Sequence, residues 1–171
     1  MKMRFEFPED SASASPQRGA APVGLLQELP AVDLAAIVYL RAWCAGGSAR
    51  LIIAEDFRLV MGEEAGAAAA RDFDALMSSF LSNARRPVMR HGMGCKCFGG
   101  DESVFARLVA SAAVRDRDDA ALFASTLIDG HAVYSVVYLA EQLGQAFLHL
   151  ARGAPKVKAP THASPAIPYK H

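Results

Sequence analysis

Between residues 25 and 152 the apolar positions recur every three or four residues, and glycines or charged clusters break the recurrence at short intervals. That period belongs to helices with one buried face. A first helix is expected at about 31–45, with Leu34, Ile37, Val38, Arg41 and Cys44 at helical spacing and Gly46-Gly47 as its stop. A second runs from about Ser48, a candidate N-cap, to Met61. The third, about 63–84, opens on two acids and carries a stripe of Phe73, Leu76, Met77, Phe80 and Leu81. A fourth begins near Asp101, where Asp-Glu-Ser offers caps and negative charge, and buries Val104, Phe105, Leu108, Val109 and Ala112. A fifth spans about 118–128, and a sixth about 131–151, with Val133, Val136, Val137, Ala140, Leu143, Phe147 and Leu150 inward.

Strand signals are weak throughout 25–152, and the breaks between helices are short. The expected fold class is therefore all-α, a compact bundle of about six helices forming a single domain. Residues 1–24 are rich in Ser, Ala, Pro and Gly and read as a flexible N-terminal arm. Its opening "MRFEF" alternates, which suits a short edge strand or a docking peptide. Residues 153–171 hold four prolines and read as a flexible basic tail. Both ends are expected to be disordered.

Composition narrows the function classes. The chain has 171 residues, 52% of them hydrophobic, which suffices for one real core. Eighteen basic residues balance eighteen acidic ones, so no global charge favours nucleic acid. The basic run "ARRPVMRH" at 84–91 lacks interleaved aromatics and reads as a solvated loop flank. No apolar run is long enough to span a bilayer, and the N-terminus lacks a secretory pattern. Three cysteines are too few and too odd for a disulfide framework. These features fit a cytoplasmic protein that makes no membrane contact; a protein partner or homo-oligomer fits its helical surface.

One stretch departs from helical filler: "RHGMGCKCFGGDES", residues 90–103. His91, Cys95 and Cys97 form H-x3-C-x-C among glycines 92, 94, 99 and 100. Thiolate and imidazole together suit zinc, and thiolates also suit an iron–sulfur cluster or Cu(I). Glycines let the backbone aim several side chains at one point. A structural Zn2+ site takes four ligands. Cys44, on the inward face of the first helix, is the first candidate for the fourth, with Asp101 and His131 behind it. A site of Cys44, His91, Cys95 and Cys97 would pin the loop to that helix, and metal binding would supply folding energy for the loop. In the competing readings Cys44 is a small buried hydrophobe and Cys95 and Cys97 are free thiols, or the pair is redox-active. Arg85, Arg86, Arg90, Lys96 and His91 crowd the thiols with positive charge, which favours thiolate. A Cys95–Cys97 disulfide would close a small, strained and easily reduced ring.

Elsewhere the polar residues carry little signal. Tyr134 and Tyr138 share a helix face and suit core packing or an interface edge. His131 and His149 sit near helix ends, and Asp116, Asp118 and Asp119 read as an N-cap with surface pairs. No P-loop, nucleotide-binding fingerprint, G-x-S-x-G or H-E-x-x-H is present. The chain reads as a noncatalytic protein carrying a structural metal, with a thiol/redox or iron–sulfur protein as the alternatives.

The segments "RRPVMRHGMGCKCFGGDESVFARLVASAA", "DRDDAALFASTLIDG" and "LAEQLGQAFLHL" resemble a group of small all-helical bacterial proteins. These share an early "YLR-W-C" helix and an H-x3-C-x-C loop ahead of a "GADE-FARLV" helix. The matching positions are Trp43, Cys44, His91, Cys95, Cys97, Asp101 and Glu102, within about 34–152. The resemblance brings no activity with it. It implies that Cys44 and the loop belong to one pattern.

Overall fold

The structure, a computed structural model, describes residues 18–153. Seven α-helices make up most of it: α1 (Ala31–Ala45), α2 (Ser48–Met61), α3 (Glu63–Ser82), α4 (Gly100–Ala113), α5 (Arg117–Leu127), α6 (Val133–Gln142) and α7 (Gly144–Gly153). Two short strands, β1 (Pro22–Leu25) and β2 (Cys97–Gly99), pair antiparallel. The all-α expectation holds, and helices one to five fall within about two residues of their expected bounds.

α1 and α4 pack together at the centre, α2 and α3 form a hairpin beside them, and α5, α6 and α7 close the bundle. The amphipathic stripes drive this arrangement, because each helix has one apolar face to remove from water. One end of the core is aromatic. Tyr39, Phe57, Phe73 and Phe147 come from four different helices, with ring centroids 5.5 to 6.2 Å apart and mostly edge-to-face. Tyr39 keeps its hydroxyl satisfied by donating to Asp56 at 2.9 Å. Phe80 and Phe105 form a second pair at 5.0 Å.

The expected sixth helix is two. The chain breaks at Leu143 and restarts as α7 at Gly144. Periodicity continues across the break, so the sequence pattern is uninterrupted. The reason for the break is tertiary: a Cβ at Gly144 would lie 2.9 Å from the Cα of Ala113, so α7 begins where two backbones touch.

The arm also differs from expectation. Residues 18–24 are placed: a helical turn at Arg18–Ala20 leads into β1, which pairs with β2 in the loop. The Leu26 N–H extends the pairing to the Lys96 carbonyl at 2.8 Å. Backbone hydrogen bonds to the loop, rather than side-chain burial, hold this strap. Its composition therefore resembled that of a linker. The "MRFEF" opening and the basic tail beyond 153 lie outside the described residues.

The candidate metal centre

The loop between α3 and α4 leaves the bundle at Ser82 and returns at Gly100. Its tip is a tight turn in which the Cys95 N–H donates to the Gly92 carbonyl at 3.0 Å. Among the described residues, positive φ occurs at Gly46, Gly47, Gly62 and Arg115, and at none of the loop's glycines. Gly99 serves close approach instead: a Cβ there would sit 2.6 Å from the Gly19 carbonyl oxygen. Glycine is needed there because the turn at Arg18–Ala20 lies against β2, not because the loop turns sharply.

His91, Cys95 and Cys97 come together. One ligand atom from each lies within 4.8 Å of the others, and the three residues are half-buried. The His91 Nδ1 is 3.3 Å from the Cys95 sulfur and 3.0 Å from the Cys97 sulfur. The other ring nitrogen, Nε2, lies 2.7 Å from the Ala20 carbonyl. A carbonyl only accepts, so Nε2 carries the proton, and in the neutral ring the Nδ1 lone pair faces the sulfurs. A backbone acceptor behind the imidazole is the usual device that fixes which nitrogen binds a metal.

The two sulfurs are 2.7 Å apart. That exceeds a disulfide bond of about 2.05 Å. It is shorter than the roughly 3.8 Å separating two thiolates on one tetrahedral zinc with Zn–S bonds of about 2.3 Å. None of the three cysteines forms a disulfide. The two thiols shift in opposite directions. The hydrogen bond from Cys97 and the His91 ring draw the Cys95 thiol down to about 7, and the same contact pushes the Cys97 thiol up. Cys95 is thus the more acidic thiol of the two. The crowd of basic residues contributes less than its numbers suggested: Arg86 is committed to Asp101 and Arg85 to Asp129. His91 is raised, chiefly by the Ala20 carbonyl and against some desolvation.

What pins this loop to α1 is Arg41, one helical turn before Cys44. Its side chain is 2% exposed and that of Glu102 is 0% exposed. The guanidinium meets the Glu102 carboxylate in a fork, Nε to Oε1 at 2.6 Å and Nη2 to Oε2 at 3.0 Å. Its remaining N–H groups donate to the carbonyls of Gly92, Cys95 and Cys97 at 3.3, 2.7 and 2.7 Å. Glu102 in turn accepts from the N–H of His91 at 3.1 Å and of Gly99 at 2.8 Å. The backbone of every residue in the cluster is therefore tied to one buried ion pair. Two opposite charges so desolvated persist only when their remaining hydrogen-bonding capacity is filled, and here five backbone groups fill it.

Cys44 stays outside the three-membered group. It packs half-buried against the core, and burial pushes its thiol up, although Arg90 and Arg50 pull the other way. Asp101 is taken by the Arg86 guanidinium at 2.6 and 2.7 Å and by the Met89 N–H at 2.9 Å. The acids of Asp-Glu-Ser thus reach backward to the loop, and Glu102 alone also caps α4 through Gly99. His131 is exposed at the start of the turn before α6.

Helical spacing puts Arg41 on the inward stripe of α1 but assigns it no role. The available signal was a cation at a core position, which demands a buried acid partner. Asp116 caps α5 by accepting from the Asp119 N–H at 3.1 Å. Trp43 donates to Asp74 under the Arg50 guanidinium. Tyr134 and Tyr138 point outward, 78% and 57% exposed, which removes the core option for them. No helix among the described residues is long and apolar enough to cross a membrane. No family model, curated protein or solved structure matches the chain.

Proposed function

We propose that this chain is a zinc-binding protein whose site is made by His91 Nδ1, Cys95 Sγ and Cys97 Sγ. The observation that carries the reading is the convergence of these three ligand atoms within 4.8 Å of one another. The protonated Nε2 on the Ala20 carbonyl supports it, because it leaves the correct nitrogen free. Two thiolates and an imidazole form a borderline-soft donor set that zinc accepts. On binding, the sulfurs part by about 1 Å to reach the spacing zinc imposes.

The metal has a different task from that of a four-ligand clasp. Arg41 already holds the loop on α1, so the metal is not needed to fasten it. Two thiolates, one imidazole and an open position match the donor count of zinc sites that take an exogenous ligand. The outward Tyr134 and Tyr138 on α6 support a protein-contact role for the helical surface. Elemental analysis of the purified full chain tests the metal reading. It should find about one equivalent of zinc, falling to near zero in Cys95→Ser and Cys97→Ser. No metal, with all three thiols freely titratable, would sink it.

One observation favours a second reading. At 2.7 Å the sulfurs sit closer to disulfide formation than to a shared metal. In that reading the Cys95 thiolate attacks an external disulfide and releases one thiol. Cys97 then displaces the second, leaving a Cys95–Cys97 disulfide and two reduced product thiols. Fast alkylation of Cys95 near neutral pH, in protein shown to hold no metal, would select this reading.

A further inference from the structure

We infer that the fourth coordination position of the His91–Cys95–Cys97 site is filled from outside the described fold, by a small thiol that carries an anionic group. The inference rests on the metal reading above and names the ligand that the site takes.

Among the described residues, the acidic donors next to the site are already used. Glu102 holds Arg41 and two backbone N–H groups. Asp101 holds Arg86 and Met89. Cys44 stands outside the group, on the core side. All the ties that shape the site come from behind it: Arg41 and Glu102 grip the backbone, and Ala20 grips the imidazole. The ligands are therefore in place without a fourth donor pulling them together.

A hollow adjoins one of the ligands. Cys95 lines a surface hollow of about 570 Å³ together with Leu25, Leu26, Met93 and Lys96. Leu25 and Met93 are 41% and 51% exposed, so apolar surface is presented to solvent beside a metal-ligating sulfur. Lys96 gives this wall a cation, and no salt bridge among the described residues uses it. An apolar rim, one cation and a thiophilic metal position together suit a short carbon chain with a thiolate at one end and a carboxylate at the other. Binding is a ligand exchange: the added thiol loses its proton to solvent as its sulfur replaces a metal-bound water, with no change of oxidation state.

Cobalt(II) loaded into the full chain gives a spectroscopic test, because each bound thiolate contributes near-ultraviolet charge-transfer absorption. The loaded protein is titrated with 3-mercaptopropionate, with 2-mercaptoethanol as the neutral thiol and with propionate as the carboxylate lacking sulfur. Both thiols should raise the charge-transfer band saturably, and propionate should not. The anionic thiol should bind roughly two- to fivefold tighter, as one exposed ion pair allows, and Lys96→Gln should erase that preference. A spectrum that stays constant on adding thiol while cobalt remains bound overturns the inference and leaves the metal reading standing. So does thiol that strips the cobalt from the protein. Failure to take up cobalt overturns both.

Discussion

Arg41 and Glu102 meet at 2.6 Å in the interior, 61 residues apart in sequence, and between them hold the backbone of His91, Cys95 and Cys97. This pair does for the loop what a fourth metal ligand was expected to do. Removing one partner strands the other as an uncompensated buried charge. Arg41→Met should destabilise the fold by about 3–5 kcal/mol. Arg41→Met combined with Glu102→Met should recover part of that loss. Denaturant unfolding of the metal-free proteins measures both.

Glu102→Gln separates positioning from stability. The amide keeps the shape but loses one acceptor; the His91 and Gly99 N–H groups donate to different oxygens, so one of them faces the amide nitrogen and loses its partner. Outer partners of metal ligands are typically worth about 10- to 100-fold in affinity. Zinc affinity should fall by that order, measured by competition with a chromophoric chelator, while stoichiometry stays at about one.

Cys44 offers a clean contrast with the loop cysteines. It lies outside the three-membered group and is packed against the core. Cys44→Ser should keep about one zinc per chain and cost modest stability through a buried hydroxyl. Cys95→Ser and Cys97→Ser should lose the metal and keep the bundle. If zinc content fell equally in all three variants, a four-ligand site that includes Cys44 would be the better description.

The pH dependence of stability follows from two carboxylates. Burial opposes ionisation of Glu102, but hydrogen bonds from Arg41, Gly99 and His91 and the charge of Arg41 prevail and hold it below its ordinary value. Asp101 behaves alike: Arg86 and the Met89 N–H outweigh its burial. A carboxylate depressed in the fold is protonated first in the unfolded chain as pH falls. Its stabilisation is fully present above the unfolded values of 4.5 and 3.8, and is lost as pH falls below them through the lower folded-state values. Asp33 is shifted the other way, raised by burial against the pull of Arg107, and offsets part of the loss. The urea midpoint of the metal-free protein should therefore fall steeply below about pH 4, whereas the raised His91 adds stability as pH drops from 7 to 5. In Glu102→Gln that fall should be shallower.

Gly99→Val tests the strap. A Cβ at this position would press on the Gly19 carbonyl and Ala20, while the bundle is untouched. β1 should detach from β2, and the Ala20 carbonyl should leave His91 Nε2. Hydrogen exchange should show lost protection at the Leu26 amide, with α1 and α4 unchanged.

The helices are legible from local pattern alone. Their apolar stripes, two glycine stops and acidic first turns are local, so α1 to α5 were legible within about two residues. Local spacing also determined that His91, Cys95 and Cys97 sit together, because residues four and two apart in one loop cannot be far apart. Tertiary structure decided the rest. The break at Gly144 depends on the backbone of Ala113, and the order of residues 18–24 depends on the edge that β2 offers. The fourth candidate, Cys44, and the unassigned cation, Arg41, were one turn apart on the same helix stripe. Periodicity could not choose between them. The choice fell to burial: a guanidinium closed off from water must find a carboxylate and carbonyls, and the loop supplied both.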